Sequence, residues 1–217
     1  MSNAWPYGCT LRRSVTMSEL KRQVIDPRRR SVLCCMAGMA LAASTISRLA
    51  HSHALVGAIR PPLALPAIKL VRHDGAATDL HTQLRGKTTA LQFMFTGCSQ
   101  TCSLQGALFA AVQHQLPANV KNNVQFLSVS IDPLGDDARA LSAWLRQFGA
   151  GPNWVAALPT VKELDQLRTA LQIRNDGPDS HTGQVFLIDR QGLLVWGTED
   201  LPPVEVVLRQ LVNIARA

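Results

Sequence analysis

The run Thr88-Thr89-Ala90-Leu91-Gln92-Phe93-Met94-Phe95-Thr96 restricts the fold of this chain more than any other stretch. It is nearly continuously apolar and lacks the alternation of a strand wetted on one face, so it reads as a strand covered on both sides. Gly97-Cys98-Ser99-Gln100-Thr101-Cys102 follows. Leu104, Leu108, Val112 and Leu116 then recur at four-residue spacing, which predicts a helix with one apolar stripe. A doubly covered strand that runs straight into a helix belongs to a layered α/β domain, and the two cysteines lie at the hand-over.

The rest of the chain continues the alternation. Ala67 to Arg72 reads as a strand. Val124, Phe126, Leu127, Val129 and Ile131 mark another, stopped by the turn residues Asp132-Pro133-Leu134-Gly135. Leu141, Trp144, Leu145 and Phe148 share one helical face that ends at Gly149, and Val161, Leu164, Leu167 and Leu171 define a further helix. Gln184 to Asp189 and Leu193 to Trp196 form a strand pair around Arg190-Gln191-Gly192, a hairpin signal, and Val204 to Ile214 closes the chain as a helix. This order predicts a three-layer α/β domain over 67–217 with a central mixed β-sheet flanked by helices. Residues 55–66, rich in Ala, Leu and Pro without a period, read as a linker.

A net charge of +7 suggests a nucleic-acid partner until it is located. Residues 1–54 carry eight Lys/Arg against two Asp/Glu, whereas residues 55–217 carry fourteen against thirteen. The basicity belongs to the N-terminal extension and not to a binding face, which excludes nucleic acid. Arg28-Arg29-Arg30 precedes the apolar stretch from Val32 to Ala43, the pattern of an export signal and, in its paired arginines, of a twin-arginine signal. Ser52-His53-Ala54 offers small residues for cleavage. Seventeen residues separate Arg30 from Arg48, marginal for a membrane span, so the alternative is an uncleaved N-terminal anchor. Met17 offers an alternative start. Either form places the domain on the periplasmic side of the bacterial inner membrane.

Export changes the cysteine arithmetic. Cys9, Cys34 and Cys35 fall in the extension, which leaves Cys98 and Cys102 as the only thiols of the 67–217 domain. A bridge between them closes a very short loop, where a structural disulfide gains least. Residues i and i+4 share a helix face, so both sulfurs can turn toward one point. A helix start also favours the thiolate, the form that attacks disulfides and binds metal. A redox couple and a metal clamp both remain open. His181, in Asp179-Ser180-His181-Thr182-Gly183, precedes the Gln184 to Asp189 strand, and in a fold of this kind that loop passes beside the start of the cysteine-bearing helix. Two thiolates and one imidazole form an S₂N set that favours Cu(I) and Cu(II) and also accommodates Zn(II).

Other residues weigh less. His114 reads as a surface residue and Met94 as core. His51, His53, His73 and His81 have no partner at useful spacing. Asp132 reads as a cap of the strand-to-helix turn, with support of the cysteine loop as its alternative role. Thr96, two residues before Cys98, is placed as in a peroxiredoxin loop, but Cys102 and His181 fit that class poorly.

From Leu63 to Ile214 the chain resembles the SCO/SenC family of copper proteins. The resemblance rests on Pro66, Leu70, Asp74-Gly75, Leu80 and Gly86-Lys87, on Phe93-Met94-Phe95-Thr96-Gly97-Cys98-Ser99-Gln100-Thr101-Cys102, on Ser128 to Pro133, and on Asp179-Ser180-His181 before Val185 to Asp189. It implies a thioredoxin-like fold, copper as cofactor with Cys98, Cys102 and His181 as metal ligands, and the copper-bearing subunit of cytochrome c oxidase, or another periplasmic copper or thiol protein, as partner. The alternative is a thiol–disulfide oxidoreductase with Cys98 and Cys102 as catalytic residues, and a copper sensor or redox-signalling module is a third reading. The chain departs from the family in carrying Ser99 and Ser103 where proline usually follows each cysteine, which implies a less pre-organised loop. It also carries Asn175-Asp176-Gly177-Pro178 where aromatic and acidic residues usually precede the histidine.

Overall fold

The computed structural model describes residues 55–173 and 182–217. The export and anchor readings, His51, His53, residues 175–178 and His181 lie outside the described residues. Chain order is β1 (Gly57–Ala64), β2 (Lys69–Arg72), β3 (Ala77–Asp79), α1 (Leu80–Leu84), β4 (Thr88–Met94), α2 (Thr101–Gln115), α3 (Ala118–Lys121), β5 (Val124–Ser130), α4 (Ala138–Gln147), β6 (Trp154–Leu158), α5 (Val161–Ala170), β7 (Phe186–Ile188), β8 (Leu193–Gly197) and α6 (Val204–Arg216). The strands form one sheet in the order β1-β8-β7-β4-β5-β6-β2-β3. β4, β5 and β6 are parallel neighbours and every other pairing is antiparallel, which gives the expected mixed sheet.

Every residue of β4 and β5 is buried, as a strand covered on both faces must be. Alternation along β4 sends Ala90 and Met94 into a core with Phe109 of α2, Leu141 and Trp144 of α4, and Leu211 of α6. Leu91 and Phe93 enter a second core with Leu80 and Leu84 of α1 and with Leu164 and Leu167 of α5. Helices therefore cover both sheet faces. Some of the polar groups buried here pair across the strands: Gln92 Nε2 and Trp154 Nε1 both donate to Ser128 Oγ, at 3.0 and 2.9 Å, whereas Thr88 Oγ1 and Gln92 Oε1 have no partner among the described residues. For the paired groups this removes the cost of burial without a partner. α4 ends as expected at Gly149, whose φ of +63° lets the chain turn out of the helix.

Three differences from the sequence reading have physical causes. Residues 57–64, read as part of a linker, form edge strand β1 against β8. Pro61 and Pro62 hide that strand. Neither donates a ladder hydrogen bond, which an edge strand tolerates, and the register breaks between Ala58 and Leu63, where they sit. β6 escaped notice because Trp154-Val155-Ala156-Ala157-Leu158 is too short for its period to decide between strand and buried helix. In α2 the predicted stripe holds at Leu108, Val112 and Leu116, whereas Leu104 is 58% exposed. Cys102, Gln105 and Phe109 complete the inward face instead.

The β1–β8 contact is close enough to test. A Cβ added at Gly197 would collide with the Leu55 carbonyl oxygen, backbone of the segment that leads into β1. Gly197→Ala is expected to lower unfolding stability by about 1–3 kcal/mol, measured by urea denaturation, because relief requires shifting a strand.

Candidate functional site

The sequence places β4 so that its carboxyl end delivers the cysteines to the top of the sheet. β4 ends at Met94, and Cys98 N–H donates to Phe95 O at 3.2 Å, closing a tight turn before the helix. Cys98 therefore sits ahead of α2, not on its first turn, and Cys102 is the second residue of the helix. The Cys102 N–H donates to Cys98 Sγ at 3.4 Å, so one thiol caps the helix that carries the other. Both cysteines are free; Cys98 is half-buried and Cys102 is 2% exposed.

This geometry makes the two sulfurs unequal. Partial burial opposes the Cys98 thiolate, but the hydrogen bond from the Cys102 thiol and the N–H groups of Cys102, Gln100 and Thr101 outweigh it and hold Cys98 below the ordinary thiol range. Burial, the hydrogen bond to Cys98 and repulsion from its charge push Cys102 up to about 12. Only the thiolate reacts with an alkylating agent, so a lowered pKa means faster reaction at a given pH. In a pH series of iodoacetamide pulses read by peptide mapping, Cys98 is expected to reach half its full reactivity at a lower pH than an ordinary thiol, with Cys102 still unmodified. Equal labelling of the two would overturn this asymmetry.

The loop is held from below by a residue the sequence reading passed over. The buried Asp136 carboxylate accepts from the Thr96 N–H at 3.2 Å, from the Thr96 hydroxyl, and from Ser130 Oγ at 2.6 Å. It ties the end of β4 to the end of β5, two residues before Cys98. Asp132, expected to cap the turn, does close it by accepting from Gly135 N–H at 2.9 Å, but α4 is capped by Asp137. Support of the cysteine loop falls to Asp136. Ser103, where the sequence implied a looser loop, donates from Oγ to Cys98 O at 3.4 Å and from N–H to Gln100 O at 3.1 Å. The second of these is a bond that proline cannot make.

His181 lies outside the described residues. Its successor Thr182 is described, and its carbonyl accepts from Gln105 Nε2 at 3.1 Å, on α2 one turn after Cys102. Gln105 is 1% exposed, and Asp200 holds the same segment by accepting from Gly183 N–H at 2.8 Å. No local signal in the sequence marks this tether, whose two partners lie 77 residues apart. Among the described residues no cluster of three or more His, Cys, Asp or Glu side chains forms a metal site. His114 is exposed and Met94 is buried core, as expected, while His81 Nε2 lies 2.9 Å from Leu65 O, away from the cysteines. Two thiols of unlike acidity at a helix start are soft donors suited to copper, and equally form an attacking and resolving thiol pair.

The chain is similar in sequence and fold to known proteins. A Stutzerimonas stutzeri protein named for a copper-binding role is 26% identical over 139 residues, which span 60% of this chain and 67% of that protein. The crystal structure of a SCO1/SenC family lipoprotein from Bacillus anthracis is 26% identical, covers 73% of this chain and 99% of its own, and superposes with a TM-score of 0.63. Bradyrhizobium japonicum ScoI, solved with copper bound, is 20% identical, covers 70% and 99%, and has a TM-score of 0.57. The SCO1/SenC family model matches residues 62–216, most of the chain. With that span and a thioredoxin-like fold in common, the chain belongs to the SCO1/SenC family.

Proposed function

We propose that this protein binds copper(I) between Cys98 and Cys102, with His181 as third ligand, and delivers it on the periplasmic side of the membrane to the copper-bearing subunit of cytochrome c oxidase. The observation that carries the reading is the thiol pair at the start of α2 in a chain of this family. The Gln105–Thr182 hydrogen bond, which fixes the residue after His181 to the cysteine-bearing helix, supports the third ligand. Membership of a family that assists copper insertion into the oxidase supports the destination. Among the described residues no helix is long and apolar enough to cross a membrane. Copper(I) titration of the full chain under reducing conditions tests the reading. One equivalent bound by the wild type, with weaker binding by His181→Ala, is expected; equal affinity in that variant would remove His181 from the ligand set.

The unequal sulfurs favour one second reading, a thiol–disulfide oxidoreductase. Cys98 thiolate would attack a target disulfide, forming a mixed disulfide and releasing one target thiolate. Cys102, after losing its proton, would attack Cys98 Sγ, leaving a Cys98–Cys102 disulfide and the second target thiol. Rapid exchange without copper uptake would favour this role.

A further inference from the structure

The turns after the parallel strands open at one end of the sheet, the end where α/β folds present ligands. The cysteine loop follows β4, Asp132 to Gly135 follows β5, and Pro159-Thr160 follows β6. The turns after β5 and β6 and the β2–β3 hairpin line a groove of about 710 Å³. Its apolar lining includes Leu134, Val71 and Val161, which are 88%, 42% and 48% exposed. An apolar patch that folding leaves open on one wall of a concave groove marks a contact surface. Lys69 and Lys162 stand on its rim and among the described residues neither makes a salt bridge, although the Lys69 charge acts on the neighbouring Glu163. The Glu163 carboxylate beside them is committed to Lys69 N–H at 2.9 Å and to Thr160 Oγ1 at 2.7 Å. The groove is therefore apolar inside, and its rim carries two lysines against the charged Glu163, a net of one positive charge.

Strands lie about 4.8 Å apart, so the floor of the groove, over β6 and β2, lies on the order of 10–15 Å from the exit of β4. A protein partner covering roughly 800 Å² would span both the groove and Cys98. Leu134 also stands two residues before Asp136, whose carboxylate grips Thr96 in the cysteine loop.

We propose that this groove docks the protein that exchanges copper with Cys98 and Cys102, seating an apolar side chain flanked by carboxylates. The inference rests on the copper-exchange reading. Its concavity suits a protruding side chain of a protein better than a lipid surface, which calls for a projecting apolar wedge. The test uses the full chain and the purified soluble copper-centre domain of the oxidase subunit, with complex formation measured by titration calorimetry. Leu134→Glu is expected to weaken the complex at least about tenfold, since it sets a charge in the apolar contact, while copper(I) stoichiometry is unchanged. Lys69→Glu with Lys162→Glu is expected to slow association severalfold and remove its salt dependence. An unchanged complex in Leu134→Glu, or no complex with the wild type, overturns the proposal. So does an effect of Leu134→Glu confined to self-association in size exclusion or to flotation on anionic lipid vesicles. If the wild type takes up no copper, the copper reading fails by itself. Complex formation by the apo chain, lost in Leu134→Glu, would still support the groove.

Discussion

Replacing Cys98 by serine is expected to lower copper(I) affinity by more than about a hundredfold. Changes in groups that merely orient a ligand already cost about 10–100-fold, and this change removes a ligand of the proposed set, putting a hard hydroxyl where a soft thiolate stood. Cys102→Ser is expected to cost as much, because it deletes the second sulfur of the proposed set, while its hydroxyl can still donate to the Cys98 thiolate. Competition with a chromophoric copper(I) chelator measures both, and Cys34→Ser with Cys35→Ser serves as the control expected to leave affinity unchanged. Retention of wild-type affinity by Cys98→Ser would exclude the copper clamp while leaving the SCO1/SenC fold untouched.

The second large effect is expected at Asp136. Its buried carboxylate is the common acceptor for the Thr96 N–H, the Thr96 hydroxyl and Ser130 Oγ. Asp136→Ala leaves those donors without their acceptor, and each lost bond to a charged group is worth about 1.5–3 kcal/mol. Allowing for relaxation, a loss of about 2–4 kcal/mol in unfolding stability is expected by urea denaturation. A stability effect alone would mark a structural residue. The role in holding the cysteine loop predicts in addition that Asp136→Asn, which keeps part of the bonding, shifts the pH profile of Cys98 alkylation while remaining folded. An unchanged profile in a folded Asp136→Asn chain would confine Asp136 to stability.

The parts of this molecule that were legible in the sequence are those whose signal is local. β4 announces itself by nine residues of nearly unbroken apolar character, and α4 by an apolar face closed with Gly149. The two cysteines are visible as the only thiols left after the N-terminal extension. Asp136 is not legible because its partners are Ser130 and Thr96, the latter forty residues away. In the sequence it is one of two adjacent aspartates after a turn, and the other, Asp137, has the local job of capping α4. Gln105 is masked in the same way, since its tether to Thr182 spans 77 residues. β1 was hidden for a different reason. Strand propensity penalises Pro61 and Pro62, but an edge strand needs partners on one side only.

The unequal burial of the two sulfurs gives the proposed delivery a direction in time. An incoming ligand would meet the half-buried Cys98 first, so in the proposed delivery a bond from copper to Cys98 would be the first to be exchanged. Cys102, sunk among core residues at the start of α2, would hold on until the new ligand set was nearly complete. Copper handed over in that order is never free in solution. A partner that cannot reach past the rim of the cysteine loop to Cys102 would borrow the metal without keeping it.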